Sequence, residues 1–128
     1  MSVSTQVSLL ERLPGGVLAS GCPSRVVLDH VTSKWGVLVL VALADRTLRW
    51  NELRRVVEGV SEKMLAQTLR VLERDGFVHR EAAPTIPPRV DYSLTPLGRD
   101  LAAHLLPLVG WVMDHAEEIV SPAAEPTA

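Results

Sequence analysis

The chain is poor in the residues from which most catalytic and metal centres are built. One cysteine, Cys22, is present in 128 residues, so neither an intramolecular disulfide nor a cysteine-built zinc cluster can form. The four histidines, His30, His79, His104 and His115, fall on different expected elements. They make no HExxH pair, no paired metal spacing and no Ser/His/Asp grouping, and no glycine-rich phosphate loop is present. His79 sits in an expected strand and reads as a packed or surface histidine rather than a base. An enzyme is therefore not expected, and no cofactor or metal is called for. Long apolar runs are missing too. The longest, residues 35–44, is about half of what a bilayer needs. The first twenty residues lack a basic n-region, and Glu11 and Arg12 interrupt their apolar run. A soluble cytoplasmic protein with no membrane partner is expected.

Net charge is small as well, at −2, but its distribution is uneven. Between Arg46 and Arg99 there are ten basic and seven acidic side chains, against three basic and eight acidic elsewhere. The middle is the only basic block. The length suits one domain with a real core, and an apolar share of 47 % argues against a disordered chain.

Residues 61–76, SEKMLAQTLRVLERDG, organise the rest. Leu65, Leu69 and Leu72 recur at i, i+4 and i+7, the spacing of an apolar helical stripe. At about 100° per residue, Lys63, Gln67, Arg70 and Arg74 gather on the opposite side. Ser61 suits the N-cap, Glu62 the positive end of the macrodipole, and Gly76 a left-handed C-terminal position. The charged face has two readings: an ordinary solvated face, or a recognition face whose long donors reach phosphates and base edges.

The flanking segments favour the second reading. A short helix at about residues 50–58 carries Trp50, Leu53 and Val57 inward, ends at Gly59, and leads through Val60 into Ser61. Helix, glycine-containing turn and second helix form the helix-turn-helix pattern. After Gly76 the period changes to two. Residues 77–81 and 89–94 read as strands, with Val90, Tyr92 and Leu94 on one face. The loop between them, 82–88, holds Pro84, Pro87 and Pro88, which cannot donate to a ladder. Such a hairpin after a recognition helix is a wing. Arg89 at its base suits a phosphate or minor-groove contact, or equally an ion pair with Asp91 or Glu81.

Upstream, residues 1–21 hold a short candidate helix with Val3, Val7 and Leu10 at helical spacing, ended by Pro14-Gly15-Gly16. Pro23 suits a helix first turn, and Val27, Leu28 and Val31 give that helix an apolar face. Ser33 caps a helix expected over residues 34–45 and apolar nearly all round, with residues 47–49 extended and free to pair with the later hairpin. Downstream, Thr95-Pro96 starts a helix running to about Val120, kinked or interrupted at Pro107. Leu97, Leu101, Leu105, Leu108, Val112 and Ile119 form its stripe, widened by Leu106, Val109 and Met113. That exceeds what a small winged domain must cover, and a homodimer interface is its natural use.

These residues together resemble the HxlR-type winged-helix transcriptional regulators of bacteria, within the MarR-like superfamily. The resemblance covers Cys22 to about Glu118. It is carried by Cys22-Pro23, Lys34-Trp35, Asn51-Glu52-Leu53-Arg54-Arg55, Ser61-Glu62-Lys63-Met64-Leu65, Leu69-Arg70, Leu72-Glu73 and Asp75-Gly76. It continues through Val78-His79-Arg80, Pro87-Pro88-Arg89-Val90, Tyr92-Ser93-Leu94-Thr95 and Gly98-Arg99. Two departures stand out: Trp50 replaces the usual phenylalanine, and the N-terminal arm is longer than the family's minimal pattern. The resemblance implies a mainly α fold with a small antiparallel β-hairpin wing, a winged helix-turn-helix dimerising through its N- and C-terminal helices. The corresponding segments are an arm over 1–21, a DNA-binding domain over 22–95, a dimerisation helix over 96–120 and a disordered tail over 121–128.

The implied partners are a double-stranded DNA operator of pseudo-palindromic sequence and a second copy of the chain. The expected DNA-binding set is Ser61, Lys63, Met64, Gln67, Thr68, Arg70, Pro88 and Arg89. Gln67 and Arg70 can each make bidentate base contacts, Lys63 suits phosphate, and Ser61 and Thr68 can donate to phosphates. Arg74, far from the helix start, can instead pair with Asp75 or Glu81. In some relatives the cysteine matching Cys22 senses oxidants, and a thiol at a helix N-terminus can have a lowered pKa. The competing reading of Cys22 is a small buried apolar residue. A small-molecule effector is a further candidate partner, with Trp35 and Trp111 as pocket walls; core packing is the plainer reading of both rings. The alternative overall is a winged-helix module for protein–protein contact without DNA, which acidic side chains on the 61–76 face would favour.

Overall fold

The computed structural model describes residues 3–121, with side chains from Ser8 onward. The proposed tail beyond Ser121 and the stripe positions Val3 and Val7 lie outside the described residues or side chains. In chain order the elements are α1 (Val3–Arg12), α2 (Pro23–Thr32), α3 (Lys34–Ala42), β1 (Leu48–Arg49), α4 (Trp50–Val56), α5 (Glu62–Arg74), β2 (Val78–Ala83), β3 (Arg89–Leu94) and α6 (Pro96–Val120). The fold is mostly helical with one three-stranded antiparallel sheet in the order β1-β3-β2. The short extended piece before α4 does pair with the hairpin, Leu48 opposite Tyr92 and Arg49 opposite Asp91.

α3 lies at the centre of the core and packs on α2, α4, α5 and α6. Its apolar sequence on nearly all sides is what such a position requires, and Val39 and Leu40 are fully buried. Around them close Leu43, Leu53, Leu65, Leu72, Tyr92 and Leu94. Three hydroxyls hold the helix starts. Ser33 Oγ accepts from Gly36 N at 3.1 Å, Ser61 Oγ from Met64 N at 3.0 Å, and Thr95 Oγ1 from Gly98 N at 3.0 Å. Thr95 also donates to the Gly76 carbonyl at 2.6 Å, joining the start of α6 to the end of α5.

Several boundaries move from their expected places. α5 ends in a Schellman motif: Gly76 N donates to Glu73 O and Phe77 N to Leu72 O, with Gly76 at φ 88°. Phe77 is thereby used as the hydrophobic closure of the helix, so β2 starts one residue later than the period-two pattern implied. At its other end β2 gains Ala82 and Ala83, which pair with Val90 and Arg89. These two can donate to the ladder where the prolines cannot, so the loop shrinks to residues 84–88. α3 stops at Ala42 and α4 at Val56, each short of the expected end. α6 continues unbroken across Pro107. Both Pro107 and Ala103, whose carbonyl loses its helical donor, are exposed, so water can satisfy that carbonyl. No helix among the described residues is long and apolar enough to cross a membrane.

Candidate nucleic-acid interface

The sides of α5 separate cleanly. Leu65, Leu69 and Leu72 are buried, while Lys63, Gln67, Arg70 and Arg74 are exposed. None of the three cations on that face forms an ion pair among the described residues. Arg74 thus pairs with neither Asp75 nor Glu81, contrary to one expectation. Asp75 Oδ2 is instead 2.6 Å from His30 Nδ1 on α2, and Glu81 lies 3.8 Å from His79. The His30–Asp75 contact fastens the C-terminal end of α5 to α2. Nothing in the sequence marks it, because the two residues are 45 positions apart and only the fold brings them together.

Each edge of the α5 face borders a cleft. On one side Met64, Gln67 and Thr68 meet Asp29, His30 and Ser33 of the α2–α3 corner, around about 180 Å³. On the other, Arg70 and Glu73 meet Arg80 of β2, with Trp50 and Tyr92 beneath. Ser61 and Met64 are exposed and Thr68 half-buried. Ser61 accepts the cap hydrogen bond, which leaves its own proton free to donate outward.

The hairpin places Pro88 and Arg89 on its exposed rim. Arg89 Nε donates to Asp91 Oδ1 at 3.1 Å, so the ion-pair reading is realised, yet a guanidinium has further donors to offer. At the tip, Thr85 Oγ1 donates to the Pro87 carbonyl at 2.8 Å, and Ile86 is 100 % exposed. Between this tip and α4 runs a third cleft, of about 580 Å³, lined by Arg49, Asn51 and the loop from Thr85 to Arg89. Arg49 and Asn51 also line a separate cleft along α4, with Glu52, Arg54 and Arg55. These α4 residues were absent from the expected site. The signal that could have pointed to them is three arginines within seven residues, Arg49 to Arg55.

Cys22 sits at the N-cap position of α2, at intermediate exposure. Hydrogen bonds from the Ser24 hydroxyl first, then from the Ser24 and Arg25 backbone amides, hold its thiol below the ordinary pKa, and partial burial opposes them. Trp35 packs against the core, with Lys34 Nζ 4.2 Å above its ring. Trp111 is not a core residue of its own chain: it is 55 % exposed and stacks on His115, ring centroids 4.3 Å apart. No ring contact joins the two tryptophans. Among the described residues no cluster of three His, Cys, Asp or Glu side chains could hold a metal.

The geometry has close counterparts. The chain is 52 % identical over 118 residues to the HTH-type transcriptional regulator YtfH of Escherichia coli (strain K12), covering 91 % of this chain and 94 % of that one. The solved structure of the transcriptional regulator ytfH from Salmonella typhimurium superposes with a TM-score of 0.80 at 49 % identity, over 86 % of this chain and 98 % of that one. The redox regulator HypR in its oxidized form gives a TM-score of 0.67 at 39 % identity, over 73 % and 96 %. The family model described as HxlR-like helix-turn-helix matches residues 30–120. Fold and relatives alike are those of transcription regulators rather than enzymes, and the chain belongs to the HxlR family of helix-turn-helix transcriptional regulators.

Proposed function

We propose that the protein is a homodimeric, sequence-specific DNA-binding regulator that reads one major-groove half-site per subunit with α5 and touches the flanking backbone with its wing. The observation that carries this reading is the outer face of α5. Lys63, Gln67, Arg70 and Arg74 are exposed together, with no carboxylate among the described residues paired to any of the three cations. Donors of this length and planarity match base edges and phosphates, and unpaired cations avoid the cost of breaking an existing ion pair. A protein-docking face would not need so uniform a set of donors.

α6 supports the homodimer reading. Its buried residues, Gly98, Ala102 and Leu105, all lie in its first ten positions. Leu106, Leu108, Trp111, Val112, Met113 and Ile119 stay between 46 % and 72 % exposed. An apolar surface of this extent belongs in an interface, and a second copy brings the same surface. Two α5 helices related by a two-fold axis would then meet half-sites about one helical turn apart, roughly 34 Å.

Cys22 is the candidate control point. HypR is a redox regulator, and the lowered pKa of Cys22 favours the reactive thiolate.

The test is fluorescence anisotropy of the purified protein on the DNA upstream of its own gene, across a salt series and against scrambled competitor. Specific binding that weakens steeply with salt is expected, because each neutralised phosphate releases counterions. Binding equal to scrambled DNA there, and no enriched fragment in a genome-wide selection, would leave the protein-contact reading instead.

A further inference from the structure

The cleft between the α2–α3 corner and α5 holds a carboxylate that its own chain leaves unpaired. Asp29 is exposed, lines the cleft and forms no ion pair among the described residues. Its natural partner, Arg25 one helical turn earlier, is turned away: Arg25 Nη1 donates to the carbonyls of Val17 and Leu18, each at 3.4 Å. Asp29 also lies in the last turn of α2, where the helix's own partial charge is negative and disfavours an acid. The fold gains nothing from this carboxylate. Of the cleft's other polar groups, two are committed within the chain. His30 Nδ1 contacts Asp75, and Ser33 Oγ accepts from Gly36 N and donates to the His30 carbonyl. Two are open. Gln67 and Thr68 have no side-chain hydrogen bond among the described residues. Thr68, half-buried, does not bond the carbonyl four residues back as Thr32 bonds that of Leu28, at 2.6 Å. The remaining wall is apolar, made by Met64, Val71 and Leu72, and neither Trp35 nor Trp111 lines it.

We propose that this cleft binds a small organic cation, a primary ammonium on a short apolar body, and that its occupation opposes operator binding. Asp29 takes the ammonium charge, Gln67 and Thr68 accept its other N–H bonds, and Met64 and Val71 cover the body. An apolar cavity of about 150 Å³ takes up benzene, so about 180 Å³ holds one ring or a chain of similar size. A metal ion fits less well, since no group of three His, Cys, Asp or Glu side chains stands together among the described residues. An anion would meet the unpaired carboxylate head-on. The site itself stands apart from the DNA-binding reading. Its effect on the operator rests on that reading, because Gln67 and Thr68 cannot serve an ammonium and a DNA strand at once. By linkage, operator and cation must weaken each other by the same factor.

The experiment is a titration of the full chain with benzylamine, followed by amide chemical shifts, with benzyl alcohol as its uncharged counterpart of the same shape. Saturable binding on the order of millimolar is expected for a ligand of this size, with shifts gathered in residues 29–33 and 64–72. Benzyl alcohol should bind roughly tenfold more weakly, because it lacks the charge-assisted bond. Asp29→Asn should weaken benzylamine by a similar factor and leave benzyl alcohol where it was. That variant is nearly isosteric, and removing an unpaired acid from the last turn of α2 should leave the melting temperature equal or slightly higher. In the operator titration, saturating benzylamine should lower the parent's affinity several-fold and move Asp29→Asn far less at the same ionic strength. No saturable binding by the parent, equal benzylamine affinity in both proteins, or shifts gathered elsewhere overturns the site. Equal loss of operator affinity in both proteins, or none in either, overturns the antagonism, the cation then acting as salt or not at all. If the parent binds no operator, it is the DNA-binding reading which fails, and the shift titration still decides the site.

Discussion

α5 and α6 are both capped, amphipathic helices, yet they leave opposite chemistry in water. α5 buries its whole leucine stripe within its own chain, and Met64, at 37 %, is its one exposed large apolar side chain. α6 buries only its first turns on α3 and β3 and leaves its later apolar positions bare. What a helix leaves exposed after its own core is satisfied identifies its next partner: charged donors ask for a polyanion, apolar side chains for another apolar surface. The two helices meet through Thr95, whose hydroxyl donates to the Gly76 carbonyl and so ties the start of α6 to the end of α5.

The largest effect should come from charging the bare part of α6. Leu108 and Val112 are 56 % and 48 % exposed and one turn apart. Leu108→Glu with Val112→Glu should therefore leave the monomer folded and remove the dimer, read by sedimentation. Operator affinity should fall on the order of 10²- to 10⁴-fold as two linked half-site contacts become one. A dimer of unchanged affinity in that variant would mean the partner surface lies elsewhere.

Next in size is a contrast within α6 itself. A Cβ on Gly98 would run into the Phe77 carbonyl, a backbone atom held by its bond to Thr95 N. Gly98→Ala should cost about 3 kcal/mol by forcing α6 away from the end of α5. At Gly110 nothing lies within 4 Å of such a Cβ. Gly110→Ala, made in the monomeric background, should stabilise by roughly 1 kcal/mol through helix propensity alone. Thermal denaturation of the two variants should shift in opposite directions.

This contrast also shows where the sequence was readable and where it was not. Caps are local, and Ser33, Ser61 and Thr95 act at the positions their hydroxyls marked. The helix-turn-helix, the wing and the pairing of β1 followed from period changes and prolines. Phe77 was misread because its alternation with Val78 and His79 imitates a strand, whereas the Schellman closure had first claim on its amide. The His30–Asp75 contact and the arginine-lined cleft depend on segments brought together by the tertiary fold, which local pattern does not encode. Trp111 looked like a core residue because hydropathy marks burial without saying in whose core. Its exposure is the α6 argument again in a single residue.

On α5 the expected effects are smaller in energy and different in kind. Gln67→Ala or Arg70→Ala should each cost about 1–3 kcal/mol of preference for operator over scrambled DNA, with stability unchanged. Lys63→Ala should weaken both duplexes alike and lower the salt slope by about one. If Gln67→Ala and Arg70→Ala leave the preference intact, the base-reading residues lie off this face.

The smallest expected effect is at Cys22, which joins the α1 arm to the body. Its thiol pKa is held below the ordinary value chiefly by the Ser24 hydroxyl. In the folded protein, alkylation by iodoacetamide should therefore reach half its maximal rate at a lower pH than in the unfolded chain. Ser24→Ala should move that midpoint upward. The sign for stability follows the usual rule for a depressed acid: the folded state is favoured at pH above the unfolded thiol's pKa, and the advantage is lost as pH falls through the folded value. Because the thiol is open to solvent, the readout that can resolve this is the reaction rate rather than the melting temperature. If alkylation follows the same pH curve in folded and unfolded chains, the hydrogen bonds from Ser24 do not stabilise the thiolate. Any oxidant response of DNA binding would then have to arise from access to Cys22 alone.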